Sequence, residues 1–264
     1  MLENFFGSKE KEFPGSSLNT LKSEHLKEGV RPIIAAVGTF GDFRDDNGDI
    51  LNKIYNQSDN MKNTEDVDYY AKLKDSQNKN FKHPFDNSYV ISSINEKDKV
   101  SWAYKNCTGV VVSGIDKQTL KNVSFLSHQD PDFFLVSESY ANNTQMFLKD
   151  IQENIIEMKK NCLPGTIDAA IFGGNYFIDD DERKKAYLKS IETLSSGISE
   201  LLGFTPPVIV GPKMVHGGSD NVYFDNENRR LYIVRPETGN STSESYLPKD
   251  IKKQEKMWQK RDFE

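Results

Sequence analysis

The sequence predicts an α/β fold in which a mixed, largely antiparallel β-sheet or sandwich is flanked by helices. Short apolar runs bounded by glycine, proline or polar turn residues recur along the chain, and such runs are typical of buried strands. Two longer stretches carry apolar residues at helical spacing, and the last two predicted strands are close enough to form a hairpin across residues 225–228. Strands with two interspersed helices and a closing hairpin indicate one α/β domain.

The predicted strands are short runs of mainly apolar residues. The first covers residues 32–37 and is closed by Gly38 and Gly41. The others cover residues 89–91, 108–115, 123–126, 167–172, 208–210, 221–224 and 231–234, with a further apolar run at 133–136. Most of these runs are too short for a helix of ordinary length, which favours buried strands.

Two long helices are predicted from apolar residues at every third or fourth position. Residues 143–158 have this spacing, and Pro164-Gly165 follows as a stop signal. From about residue 181 to 202, an apolar stripe ends before Gly203, which suits the position just beyond a helix C-terminus. Residues 44–87 are rich in Asp, Asn and Lys, and they predict two shorter helices around 50–55 and 67–73 with loops between them.

Changes in composition divide the chain into three parts. Residues 1–30 are polar and carry no sustained periodicity, so they are interpreted as a flexible arm. Residues 31–236 contain all the predicted strands and both long helices, and they are interpreted as a single domain. Residues 237–264 are interpreted as a polar C-terminal tail with a short amphipathic helix at 251–259.

The composition argues against several classes of function. The formal net charge is −6, whereas binding to nucleic acid or to anionic membranes needs clustered Lys and Arg. No apolar run is long enough to span a bilayer, and the first residues lack the basic and apolar regions of a cleavable signal peptide. We therefore expect a cytoplasmic protein that binds no nucleic acid and has no membrane span.

The two cysteines, Cys107 and Cys162, are too few for a disulfide framework, so each thiol is judged by its surroundings. Cys107 lies directly before the predicted strand 108–115, and His128 lies at the end of the next strand. If these strands pair as an antiparallel hairpin, the two side chains meet, and the imidazole can hold the thiol as a reactive thiolate. The competing interpretation is a small buried thiol and an ordinary hydrogen-bonded histidine. Cys162 precedes Pro164 without a histidine nearby in sequence, and it is interpreted as a packing residue.

Four segments occur in the order found in a known group of enzymes. They are Cys107 before a strand, His128 at the end of the next strand, a strand with a Gly-Gly corner at 167–175, and a closing hairpin at 217–224 and 230–235. In these features roughly residues 100–236 resemble the CheD-like chemoreceptor glutamine deamidases and the catalytic domains of the cytotoxic necrotizing factor toxins. The resemblance implies that the domain has the fold that these proteins share.

The resemblance also implies roles for particular residues. Cys107 is then the nucleophile, His128 is its base, and a hydroxyl residue upstream of the cysteine takes part. Ser101 is the candidate for this hydroxyl, with Thr108 and Ser127 as rivals. The implied chemistry needs neither a metal nor an organic cofactor.

The chain departs from the family pattern in two places. Asn106 stands before the cysteine, where the family often has a small residue. The interval between Cys107 and His128 is also longer than usual, which predicts an enlarged hairpin turn at 116–121.

The implied activity is that of a protein-glutamine deamidase, which hydrolyses a side-chain carboxamide through a thioester intermediate. Its partner is a protein substrate that carries a reactive glutamine. The Asn- and Lys-rich sequence and the atypical N-terminal half also suit a bacterial effector or toxin that is secreted without a cleavable signal peptide into a host cell. The sequence leaves open another cysteine amidohydrolase, a transglutaminase or a peptidase on the same fold, and a non-catalytic protein-binding domain.

Overall fold

A computed structural model describes residues 25–40, 43, 63–68, 89–104, 107–134, 141–173, 181–209 and 219–235. This part of the chain contains two mixed sheets of five strands each and two long α-helices. Five of its strand pairings are antiparallel and three are parallel. The predicted α/β class with mixed, largely antiparallel sheet structure is therefore confirmed. The likeness of this fold to that of the glutamine deamidases and necrotizing factor toxins stays a prediction.

The first sheet, sheet A, contains the closing hairpin that the sequence predicted. Its strands, numbered along the chain and given in spatial order, are β1 (Ile34–Thr39), β10 (Arg230–Arg235), β9 (Asp220–Asp225), β4 (Asp98–Tyr104) and β2 (Thr64–Asp66). The two outer strands pair in parallel with their neighbours, and the inner strands are antiparallel. The short strand β2 lies in polar sequence where loops and helices were expected.

The second sheet, sheet B, carries the strands on either side of the Cys107 and His128 positions. In spatial order they are β3 (Tyr89–Ile91), β6 (Asn122–Gln129), β5 (Thr108–Ile115), β7 (Asp168–Gly173) and β8 (Val208–Ile209). All pairings are antiparallel except that of β7 with β8. The strand predictions for 89–91, 108–115, 123–126 and 167–172 are confirmed to within a few residues.

β5 and β6 form the antiparallel hairpin on which the Cys–His hypothesis depends. Thr108 lies opposite Gln129, so Cys107, directly before β5, comes to the end of β6 where His128 lies. The turn between the strands is enlarged as predicted. The Asp116 carboxylate stabilises it by accepting two backbone N–H groups, at 2.9 and 2.8 Å.

The two sheets pack face to face, and the buried layer between them receives side chains from both. Sheet B contributes Val111, Leu126, Ala170 and Phe172, and sheet A contributes Val222, Phe224, Leu231 and Ile233. Such burial of apolar side chains is the main source of stability in a sandwich. The arrangement is the sandwich alternative of the sequence prediction.

The helices α1 (Ala141–Asn161) and α2 (Asp181–Leu202) cover the outer face of sheet B. As expected from the apolar stripe, Ile191 and Leu194 are buried against strand residues such as Val110 and Val112, and Leu188 packs at the edge of this cluster. Because sheet B is covered on both faces, β5 and β7 are almost wholly buried. No helix in the described part of the chain is long and apolar enough to cross a membrane.

Several predictions on the margins of the domain have a mixed outcome. Part of the apolar run at 133–136 belongs to a short 3₁₀-helix, Pro131–Phe134. Val67 and Asp68 form a turn where a helix was expected to begin. The predicted helix around 50–55, the rest of the one around 67–73 and the tail 237–264 lie outside the described residues.

The last residues of the expected arm contact the domain. His25 stacks on Phe204 with ring centroids 3.4 Å apart, and its Nε2 lies 3.2 Å from an Asp168 carboxylate oxygen. The backbone N–H of Lys27 donates to the Gly165 carbonyl at 2.6 Å. Residues His25 and Lys27 of the expected arm therefore contact the domain, and residues 1–24 lie outside the described residues.

Candidate active site

Cys107 and His128 lie side by side at one end of the sandwich. The Cys107 residue is 9% exposed, His128 is fully buried on β6, and the two side chains are close enough for the charge of Cys107 to act on the imidazole. Gly173 packs against this corner with a φ of 78°, and a Cβ atom there would lie 2.8 Å from the Cys107 carbonyl oxygen. Only glycine therefore lets β7 approach the cysteine so closely. The predicted proximity of Cys107 and His128 is confirmed.

A carboxylate that the sequence had not indicated holds the other side of the imidazole. Asp68, in the turn after β2, places Oδ1 3.0 Å from His128 Nδ1. Its Oδ2 accepts the backbone N–H of Trp102 at 2.7 Å, which ties the carboxylate to β4. A carboxylate at Nδ1 fixes the orientation and protonation of an imidazole. With Nδ1 held in this way, Nε2 is the nitrogen that can exchange a proton with the thiol.

Ser101 lies at the junction of the carboxylate and the imidazole. Its Oγ is 3.0 Å from Asp68 Oδ2 and 3.2 Å from His128 Nδ1, and the residue is fully buried. The hydroxyl donates to the carboxylate, which helps to fix the carboxylate against the ring. Of the three hydroxyl candidates, Ser101 is therefore the one in contact with His128.

Thr108 and Ser127, the two rivals of Ser101, contact Gln129. The Ser127 hydroxyl donates to Gln129 Oε1 at 2.9 Å, and Gln129 Nε2 donates to Thr108 Oγ1 at 3.1 Å. Side chains alternate between faces along a strand, so Ser127 and Gln129 point to the helix side while His128 points to the sandwich interior.

A buried ion pair holds β2, and with it Asp68, against β4. Glu65 lies opposite Lys99 in the parallel register, and its Oε2 is 2.8 Å from the fully buried Lys99 ammonium. The same carboxylate accepts the Ser93 backbone N–H at 3.0 Å and the Asn95 amide at 2.7 Å. Burial lowers the pKa of Lys99. For Glu65 burial acts to raise the pKa, but the Lys99 charge and the hydrogen bonds from Lys99, Ser93 and Asn95 together bring it below its ordinary value. A strand of only three residues is thus fixed by polar contacts rather than by apolar packing.

The electrostatics favour a protonated His128. Burial alone would lower the pKa of this imidazole, but the charges of Cys107 and Asp68, together with the hydrogen bond to Asp68, raise it to about 10. Burial raises the pKa of Asp68, and the opposing charge and hydrogen bond of His128 bring it below its ordinary value. The two directions agree, and they describe an imidazolium between a carboxylate and a thiol. An imidazolium next to a thiol stabilises the thiolate, which is the nucleophilic form.

Two residues of this cluster, Asp68 and Tyr104, are absent from the sequence-based site. The Tyr104 ring stacks on the His128 imidazole with centroids 3.9 Å apart and planes 14° apart. Its only signal in the sequence is an aromatic residue shortly before Cys107. Asp68 is one of many acidic residues in the polar stretch 44–87, and nothing in its neighbours distinguishes it.

The chain matches no model of a known protein family, and it matches no curated protein sequence. Within the described ranges, no group of three or more His, Cys, Asp or Glu side chains is arranged to hold a metal ion. The feature of the described residues that bears on function is therefore the cluster of Cys107, His128, Asp68 and Ser101.

Proposed function

We propose that this chain is a protein-glutamine deamidase in which Cys107 is the nucleophile and His128, oriented by Asp68 and Ser101, transfers the protons. The observation that carries the proposal is the placement of Cys107, directly before β5, beside a buried imidazole whose Nδ1 lies 3.0 Å from the Asp68 carboxylate. A thiol, an imidazole and a carboxylate in series activate a cysteine for acyl transfer. The resemblance of the segment order to glutamine deamidases supports the side-chain carboxamide as the acyl group.

In the proposed first half-reaction, the protonated ring of His128 stabilises the Cys107 thiolate. The sulfur attacks the carboxamide carbon, and backbone N–H groups near Cys107 stabilise the oxyanion. The C–N bond then breaks as the imidazolium gives its proton to the nitrogen, which leaves as ammonia. Because the ring carries the proton at the start, His128 acts first as an acid and only afterwards as a base.

In the second half-reaction, the thioester is hydrolysed. The neutral imidazole takes a proton from water, and the resulting hydroxide adds to the thioester carbon. The C–S bond breaks, the thiolate is restored beside the imidazolium, and glutamine has become glutamate. The Asp68 carboxylate stabilises the imidazolium whenever it is present, without itself being protonated.

The other functions that the sequence left open predict different products. A transglutaminase would transfer the same acyl group to an amine, and a peptidase would cleave a backbone amide instead of a side-chain amide. A non-catalytic binding domain has no need of a buried thiol, imidazole and carboxylate in contact, an arrangement that is costly to desolvate. The contact of Cys107 with His128 therefore favours an enzyme.

The test is a comparison of wild-type protein with the Cys107→Ser variant on bacterial and eukaryotic protein extracts. Mass spectrometry would search for sites where glutamine becomes glutamate only with the active protein, and a primary amine added in parallel would reveal acyl transfer. We expect Gln-to-Glu conversion that Cys107→Ser and His128→Ala abolish, because the first has no thiol and the second loses both the charge beside the thiolate and the proton donor to the leaving nitrogen. The losses should not add in the double variant, since the two residues act as one unit.

The matched control is Cys162→Ser, which should retain near-normal conversion. A substrate that Cys107→Ser converts at the wild-type rate would refute the mechanism. Amine incorporation or peptide cleavage without deamidation would replace the proposed reaction with another outcome of the same acyl-enzyme.

A further inference from the structure

Strand β4 contacts His128 with two side chains that a regular strand would point in opposite directions. Ser101 and Tyr104 are three residues apart, so strict alternation would place them on opposite faces of sheet A. The register between β4 and β9 shifts between these two residues, and Ala103 has a φ of 62°. This bulge turns Tyr104 into the sandwich interior, where Ser101 already points. An alanine in the left-handed region costs about 1–2 kcal/mol, so the surrounding structure must enforce it.

Tyr104 is held at both its ring and its hydroxyl. The ring lies 3.9 Å from the imidazole on nearly parallel planes, and the Phe172 ring packs beside it with centroids 5.5 Å apart. The hydroxyl donates to the Ser127 carbonyl at 3.0 Å. Only 1% of the residue is exposed, so Tyr104 restricts the rotation of the His128 ring from a fixed position.

The contact with Ser127 alters the β5–β6 ladder beside the catalytic pair. The pairing of β5 with β6 is continuous from Ile115 opposite Asn122, at the turn, to Val111 opposite Leu126. The next pair along the strands is Thr108 opposite Gln129. Between these two pairs, the Ser127 carbonyl accepts a hydrogen bond from the Tyr104 hydroxyl. The Val110 backbone N–H donates instead to the Ser127 hydroxyl, at 2.9 Å. The Ser127 hydroxyl thus replaces the Ser127 carbonyl as the acceptor for the Val110 N–H, directly next to His128.

We propose that Tyr104 and Ser127 are positioning residues, which together set the plane of the His128 ring and its distance from Cys107. Tyr104 acts from the sandwich interior through the stacked ring. Ser127 acts from strand β6 itself. Its carbonyl accepts the Tyr104 hydroxyl, and its own hydroxyl accepts the Val110 backbone N–H and donates to Gln129. The catalytic purpose of this positioning rests on the proposed function, but the positioning itself can be measured without a substrate.

The experiment measures the alkylation rate of Cys107 by iodoacetamide between pH 5 and 10, with peptide mapping, in Tyr104 and Ser127 variants. Tyr104→Phe keeps the ring and removes the hydroxyl, whereas Tyr104→Leu removes the stacking. We expect the rate at neutral pH to fall about 10-fold in Tyr104→Phe and Ser127→Ala and about 100-fold in Tyr104→Leu, because small misplacements of reacting groups have effects of this size. The pH dependence of the rate should change in all three variants, because it follows the charge of the imidazole beside the thiol.

Each of the two conservative variants has a matched control. Tyr223→Phe removes another fully buried tyrosine hydroxyl, which donates to Asp98 at 2.6 Å in sheet A. Ser124→Ala removes a fully buried hydroxyl from the same strand as Ser127, and this hydroxyl has no hydrogen-bond partner among the described residues. Both controls should keep the wild-type alkylation rate and pH profile, even where their stability changes.

Two outcomes would separate this proposal from the proposed function. If Tyr104→Phe and Ser127→Ala leave the alkylation rate and its pH profile at wild-type values, the positioning proposal is wrong, whether or not glutamine is deamidated. If both variants slow alkylation while no extract yields Cys107-dependent conversion of glutamine, the positioning proposal stands and the deamidase proposal fails.

Discussion

The two cysteines of this chain are both buried, yet their surroundings differ in every respect that controls reactivity. Cys107 precedes β5 at the end of the sandwich, where its charge raises the pKa of the neighbouring His128. Cys162 follows α1 and is 1% exposed in the apolar cluster between sheet B and the helices. Burial raises the pKa of the Cys162 thiol to about 11, and the nearby Asp116 charge acts in the same direction.

The comparison shows that burial does not decide what a thiol does. A thiol in apolar surroundings stays protonated and behaves as a small hydrophobic group. A thiol beside a held imidazolium gains a countercharge that stabilises its anion. In this fold, the helix side of sheet B provides the first environment and the space between the sheets provides the second.

The largest expected difference is in alkylation. At pH 7, iodoacetamide should label Cys107 about 100-fold faster than Cys162 or more, because the reaction needs the thiolate. Quantitative peptide mapping at short reaction times measures both rates in one sample. In concentrated urea the two cysteines should label at similar rates, which serves as the control. Faster labelling of Cys162 in the folded protein would overturn the assignment of the nucleophile.

The second prediction concerns the carboxylates near the two thiols. Asp68→Asn should lower deamidation and the alkylation of Cys107 by about 100-fold or more, since the same change behind a catalytic imidazole costs up to about 10⁴-fold in other enzymes. Asp116→Asn is the matched control, because Asp116 lies near Cys162 and stabilises only the hairpin turn. Equal effects of the two substitutions on Cys107 would contradict the role given to Asp68.

The parts of the molecule that were predictable are those determined by nearby residues. β5 and β6 are apolar runs joined by a short polar turn, so their pairing, and with it the proximity of Cys107 and His128, followed from the order of residues alone. The two long helices followed from apolar spacing. Ser101 lies only six positions before Cys107, and it was found through the family resemblance.

The parts that were not predictable depend on contacts between distant segments. Asp68 reaches His128 because the Glu65–Lys99 ion pair and the burial of Val67 hold its turn against β4. A three-residue polar strand has no apolar period to reveal this arrangement. Tyr104 reaches His128 only because a bulge reverses the alternation of β4, and a bulge has no clear signature in a single sequence. The division into two sheets was also left open, since β1 pairs with β10 from the other end of the chain.

The third prediction uses pH to separate the two thiols. Burial would lower the pKa of His128, but mainly the Cys107 charge raises it from its ordinary value near 6.5 to about 10. The protonated ring therefore stabilises the fold fully below about pH 6.5, and this stabilisation is lost as the pH rises through about 10. In Cys107→Ser the ring should lose its proton at lower pH. NMR titration of His128 and urea unfolding at several pH values measure both effects.

The control for the pH experiment is Cys162→Ser. Since Cys162 lies on the other face of sheet B, this variant should leave the His128 titration unchanged. An unchanged titration in Cys107→Ser would show that the thiol does not contribute to the charge state of His128, and the proposed ion pair would be wrong.

The smallest effect is expected from packing around Cys162, where only stability is involved. A Cβ atom on Gly114 would lie 2.8 Å from Cys162 Sγ and 3.1 Å from Ile167 Cγ1. Gly114→Ala should therefore lower the free energy of unfolding by about 1–3 kcal/mol, as overpacking of a core usually does. In a Cys162→Ala background the sulfur is gone, so the same substitution should cost less, and urea unfolding of the four proteins measures the difference as an interaction energy. The alkylation rate of Cys107 should be the same in all four, because Gly114 and Cys162 contact neither His128 nor Asp68. If Gly114→Ala costs as much without the sulfur, Cys162 does not pack as described, and if Cys107 slows, the two thiol environments are not independent.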